Sequence, residues 1–297
     1  MNRFRGYLMV LGAAASWGIA ATGAKALLNQ ELHPFLLAQA RVTISLGLLA
    51  GGLGITRPDL LRVKRHQLWR LALLGIVGMA GANVTYYITM RESTVATAIL
   101  LQYAAPLLVM LYALISREER LTMSRVLPGL LAVGGCYFAL GGWSATAVSA
   151  PALVMGILSA FCFGFLTVFT RHADQGLNTL TVTLYAIGFA ALFWAVEMVV
   201  TARQIPPLTP GTWGALVLLA VVSILIPYLL FFAGLRRIGP TQAVVCATLE
   251  PIVAIGSAAL FLGESLTPPQ IAGAAVVIAA ITGLQLSRGG NPAGEAS

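Results

Sequence analysis

The chain has 297 residues, of which 58% are hydrophobic and 9% charged, and it carries a net charge of +8. Soluble domains are roughly 25% charged, so the composition excludes an ordinary globular domain and indicates a polytopic membrane protein. Apolar windows of bilayer-crossing length fill nearly the whole chain and leave no room for a soluble catalytic domain.

Ten transmembrane helices are predicted in an all-α chain: Tyr7–Leu28, Phe35–Ile55, Leu68–Met90, Val95–Ser116, Val126–Trp143, Ala152–Thr170, Leu180–Val200, Trp213–Leu235, Thr241–Leu262 and Ile271–Leu286. The first window, ending at Ala24-Lys25-Ala26, is too long for a usual signal core and is read as a helix. Lys and Arg in short loops stay on the cytoplasmic side. With both termini inside, the cytoplasmic segments hold fourteen of the eighteen basic residues, and only Lys25, Arg91 and Arg203 fall outside. The positive charge is spread over these loops, which suits anionic lipid headgroups and not nucleic acid. Cys136, Cys162 and Cys246 lie inside predicted spans without metal-ligand spacing, so no disulfide, metal or cofactor is expected.

In the first helix Ser16-Trp17-Gly18 puts an indole near mid-span, packed between helices or forming an apolar wall. The second carries a Gly47/Gly51 pair of the GxxxG type, a close-packing face, and Arg41 early in the span. Arg41 is read as a structural charge that snorkels outward or pairs with a carboxylate, with substrate contact as the alternative. The third places Gly75, Gly78 and Gly81 along one face, followed by Asn83, Thr85, Tyr86 and Tyr87. In the fourth, Pro106 frees the carbonyl of Gln102. Trp69, Trp143 and Trp213 sit near span ends and fit an interfacial belt.

A small, uncharged connector runs from Gly141 to Pro151. The sixth helix lines up Phe161, Phe165 and Phe169, a stripe that serves core, lipid or cavity. In the eighth, Pro227 bends the helix just before Tyr228. The ninth has Glu250 and Pro251 near mid-span, and Pro251 frees the carbonyl of Ala247. A carboxylate at that depth costs several kcal/mol and faces a bundle interior or a wet cavity. Glu250 either exchanges a proton during a cycle or holds Arg41 or a backbone N–H in a structural network.

Shifting the chain by 145 residues lays Pro106 over Pro251, Arg91 over Arg236, Glu119 over Glu264, Leu121-Thr122 over Leu266-Thr267 and Asn83 over Tyr228. The chain is thus a repeat, divided at 1–145 and 146–290, with a short polar tail at 291–297. Ala105 stands where the second copy has Glu250, so the halves differ chemically. Each copy supplies five helices, an odd number, so the second is inverted in the membrane. Two inverted copies can exchange roles around one central site, which is the physical basis of alternating access.

Thr248-Leu249-Glu250-Pro251, then Leu262-Gly263-Glu264-Ser265-Leu266-Thr267 and Gln270-Ile271-Ala272-Gly273, resembles the closing motif of EamA-type members of the drug/metabolite transporter superfamily. The likeness extends to Ser16-Trp17-Gly18, Arg41 and the Ala98 to Pro106 copy, and so covers the chain. It implies a ten-helix inverted-repeat carrier, commonly an exporter of amino acids or small metabolites, with YddG-type amino-acid exporters the nearest analogy.

The expected function is secondary export of a neutral or zwitterionic small solute across a bacterial-type inner membrane. Asn83, Tyr86, Gln102 and Tyr228 would hydrogen-bond it, Trp17 and Phe165 would form apolar walls, Glu250 would complete the site, and Pro106, Pro227 and Pro251 would act as helix breaks. Uptake of a metabolite and passive channelling are the alternatives, although no filter repeat or charged pore series is present. Catalysis is not expected, because His33, His66 and His172 all lie in loops and no HExxH occurs.

Overall fold

Hydrocarbon offers no partner to a bare peptide group, so a chain this apolar must pair its backbone within helices. The computed structural model describes residues 2–28, 32–117, 122–142, 148–174, 176–202, 207–262 and 266–286, and among them there is no strand. Nine helices there are long and apolar enough to cross a membrane: α1 Arg3–Leu28, α2 Pro34–Thr56, α3 Arg65–Glu92, α4 Ala96–Ser116, α6 Ala150–Ala173, α7 Thr179–Val200, α8 Pro210–Ile238, α9 Pro240–Phe261 and α10 Pro268–Gln285. The tenth, α5 (Met123–Ala139), is shorter and equally apolar. Trp143, Arg203, Glu119, Glu264 and the 291–297 tail fall outside the described residues.

Several helices start earlier than hydropathy predicts, because polar caps set their ends. The His33 ring accepts from the Phe35 N–H, Thr94 from Thr97, Asn178 from Leu180 and Thr209 from Thr212. Pro34 and Pro210 then occupy first-turn positions that need no N–H.

Four helices are interrupted, in two corresponding pairs. α3 widens into a π-helical stretch over Leu74–Gly81, and α8 does so over Val221–Leu225. α4 breaks between Gln102 and Ala105, and α9 breaks at Thr248, between Ala247 and Leu249. The packing obeys the same correspondence. α1 lies on α8 and α9 as α6 lies on α3 and α4, and α2 lies on α8 as α7 lies on α3. α2 with α7, α4 with α9 and α5 with α10 pair with their own counterparts. Contacts that survive exchange of the copies are what a two-fold axis requires, and five helices per copy place that axis in the membrane plane.

Glycine decides how closely some of these pairs approach. A Cβ on Gly135 of α5 would lie 2.7 Å from Val277 Cγ2, and one on Gly273 of α10 would lie 2.4 Å from the Ala139 nitrogen. The α3 row serves two neighbours, Gly75 meeting α7 while Gly78 and Gly81 meet Leu166 and Cys162 of α6. The expected packing role of Gly47 and Gly51 is overturned, since nothing lies within 4 Å of a Cβ at either. Outward positions such as Ile115, Val200, Leu260 and Phe261 stay exposed, as a lipid-facing surface demands.

Candidate functional site

A residue that touches its own repeat mate sits on the two-fold axis. Asn83 of α3 and Tyr228 of α8, which correspond in the repeat, lie close enough for their side chains to interact. The Asn83 amide donates back to the Met79 carbonyl at 2.7 Å, at the end of the π-helical stretch. Close by, the broken middles of α4 and α9 meet. The Tyr103 hydroxyl donates to the Ala247 carbonyl at 3.0 Å and lies 2.6 Å from Glu250 Oε2. The carbonyl that Pro251 deprives of a donor is therefore served by the opposite copy.

The same logic explains Ser16-Trp17-Gly18. Pro227 has no N–H, so the carbonyl of Ser223 lacks its donor in α-geometry and that of Val222 lacks it in π-geometry. Trp17 Nε1 donates to Ser223 O at 2.9 Å and Ser16 Oγ to Val222 O at 2.6 Å. Gly18 lies against α9, where a Cβ would stand 2.6 Å from the Glu250 carbonyl oxygen. The indole N–H of Trp17 is thereby engaged, and its ring packs on Tyr228, Phe231 and Phe163 with centroids 5.3, 5.4 and 6.4 Å away.

Arg41 is buried, 8% exposed, and neither snorkels nor meets a carboxylate among the described residues. Its guanidinium donates to Leu37 O at 3.4 Å, to Ser223 Oγ at 3.2 Å and to the Tyr87 hydroxyl. Three of five N–H groups are thus engaged. Glu250 is half-buried and forms no ion pair with Arg41, and its second oxygen has no protein partner among the described residues. Tyr86 and Tyr228 lie within electrostatic reach of both charges. The Tyr86 hydroxyl has no protein partner among the described residues, while its ring packs edge-on against Tyr87 at 5.6 Å. A buried unpaired charge costs several kcal/mol. The first copy thus holds a cation and the second a carboxylate that are not paired with each other.

The structure therefore gathers Trp17, Asn83, Tyr86, Tyr228 and Glu250 near the axis, with Arg41 beside them. Gln102 is tied aside, donating to Ser159 Oγ at 2.8 Å, and Ser159 in turn donates to Ala82 O at 3.1 Å. Phe165 faces another way, stacked on Phe169 at 4.7 Å, and Phe163 is the aromatic of α6 that reaches Trp17. Pro106, Pro227 and Pro251 are all buried. Sequence reasoning missed Tyr103, Ser223 and Trp194. The last is fully buried against Phe35 and Tyr87, the tyrosine that takes Arg41. A separate apolar groove of about 280 Å³, between α2 and α7 and lined by Leu46, Leu184, Gly188 and Phe189 among others, contains none of these residues.

Known proteins share this architecture. A crystal structure superposes with a TM-score of 0.81 at 19% identity, covering 96% of this chain and 98% of that one, a likeness of fold. The uncharacterized inner membrane transporter YicL of Salmonella typhimurium is 25% identical over 295 residues, 93% of this chain and 94% of its own. The threonine/homoserine exporter RhtA of Escherichia coli is 26% identical over 235 residues, 78% of this chain and 76% of its own. The sequence pattern of the EamA-like transporter family matches twice, over residues 4–141 and 150–285, once on each copy. This chain, with its opposed five-helix copies meeting at Asn83 and Tyr228, belongs to the EamA-like transporter family.

Proposed function

We propose that the protein is an inner-membrane carrier that exports small zwitterionic solutes, amino acids foremost, by alternating access. The observation that carries this reading is that buried Arg41 and half-buried Glu250 sit on opposite copies, unpaired with each other, with Tyr86 and Tyr228 within electrostatic reach of both. Arg41 has two N–H groups left for a substrate carboxylate, and Glu250 has an oxygen left for an ammonium group. Trp17 and Phe163 supply an apolar wall, and Asn83, Tyr86 and Tyr228 supply neutral hydrogen bonds. The export of threonine and homoserine for which RhtA is named, and the inner-membrane location in the name of YicL, support the same class and place. In this reading the copies are 1–145 and 146–290, both termini and the 291–297 tail are cytoplasmic, and Pro106, Pro227 and Pro251 mark where the helices flex.

Counterflow tests it. Proteoliposomes loaded with unlabelled L-threonine should accumulate labelled L-threonine, saturably and with trans-stimulation. Arg41→Gln should raise KM roughly tenfold to a hundredfold, the effect of losing a charged hydrogen bond of about 1.5–3 kcal/mol. Flux without saturation indicates a channel. An unchanged KM in Arg41→Gln, or failure to exchange any of the common amino acids, overturns the proposal.

A further inference from the structure

One hydroxyl in the centre of the molecule faces two acceptors. Tyr103 Oη lies 3.0 Å from the Ala247 carbonyl and 2.6 Å from Glu250 Oε2, yet a phenol carries a single proton. With Glu250 ionised, the carboxylate is the stronger acceptor and draws that proton, which leaves the Ala247 carbonyl unpaired in the interior. With Glu250 protonated, its O–H donates to the Tyr103 oxygen and Tyr103 donates to Ala247, so every group is paired. The carbonyl depends on this arrangement because Pro251 removes its donor within α9.

We propose that Glu250, Tyr103 and the Ala247 carbonyl form a proton-operated latch joining the broken middles of α4 and α9, with the proton as the ion that drives transport. One proton enters from the aqueous face open to the site and converts carboxylate to carboxylic acid, and the same proton leaves to the opposite face later in the cycle. No other bond changes. Each molecule has one latch, because Ala105 occupies the position corresponding to Glu250 in the first copy. The titratable groups around Glu250 are Tyr103 of α4, Cys136 of α5, Tyr86 of α3 and Tyr228 of α8. α1 meets α9 with the backbone at Gly18, α6 offers Cys162, which packs on Gly81, and α10 carries no titratable side chain. Arg41 of α2 is the cation within reach of the same tyrosines.

The direction of coupling rests on the carrier reading, whereas the latch itself has an independent readout. Infrared titration of the reconstituted protein should show a protonated-carboxyl band that disappears in Glu250→Gln. In Tyr103→Phe the band should persist with its proton affinity changed about tenfold. In transport, Tyr103→Phe should keep L-threonine counterflow and lose at least nine-tenths of the accumulation driven by an imposed pH gradient. A midpoint that Tyr103→Phe leaves in place, or undiminished pH-driven accumulation in that variant, overturns the latch. If wild type shows no counterflow the carrier reading fails, and the infrared midpoint still decides the latch.

Discussion

Pro227 withholds an N–H from the carbonyls of Val222 and Ser223, and Ser16 and Trp17 supply donors in its place at 2.6 and 2.9 Å. Leaving a buried acceptor unpaired costs about 1–3 kcal/mol, so Trp17→Phe should lower stability by that amount in a detergent unfolding assay. Pro227→Ala restores the missing N–H and should absorb much of that loss. A double-mutant cycle should therefore return a coupling of about 0.5–3 kcal/mol, and strict additivity would contradict the assignment. The sequence marks both residues as unusual, but it says only that a carbonyl is orphaned. Which helix answers, from 206 positions away, is a property of packing. The aromatic stripe of α6 shows the same limit. Periodicity groups Phe161, Phe165 and Phe169, and it is silent on the neighbouring Phe163, whose direction is set by the approach of α1 and α8.

At the level of the helices, glycine matters where a neighbour arrives and nowhere else. Gly18→Val should push α1 off α9, since its first carbon already falls 2.6 Å from a backbone oxygen, and overpacking of this kind costs about 1–3 kcal/mol or more. Gly51→Ala points into open space and should leave the melting temperature unchanged or raise it, gaining up to about 1 kcal/mol of helix propensity. Thermal melts in one detergent that ranked the two variants the other way would refute this packing. The GxxxG spacing of Gly47 and Gly51 is legible in the sequence, whereas its partner is not. The proline-marked breaks before Pro106 and Pro251 are legible for a local reason, the absence of an N–H. The π-helical stretch in α3 has no proline to announce it and coincides with the row Gly75, Gly78 and Gly81, which reads as packing alone.

On the scale of the whole molecule, the odd helix count of each copy opposes the two copies, and their contacts persist when the copies are exchanged. This much was readable from the 145-residue shift, because it lays Pro106 over Pro251 and Arg91 over Arg236 across the two copies. The axis site was readable only in part. Asn83 and Tyr228 could be aligned, but that Arg41 meets Ser223 and Tyr87 while Glu250 meets Tyr103 is a property of packing. In a background with Cys136, Cys162 and Cys246 replaced by Ala, single cysteines beside Glu119 and Glu264 should react with an impermeant reagent from opposite faces of the membrane, and labelling from one common face would exclude opposed copies. The most direct measurement places a cysteine at Tyr86 in that background, a position within electrostatic reach of both Arg41 and Glu250. The account predicts that impermeant maleimide reaches it from the cytoplasmic face and, in turn, from the external face, with saturating L-threonine slowing both reactions. Labelling from a single face under every condition, with no protection, would contradict it.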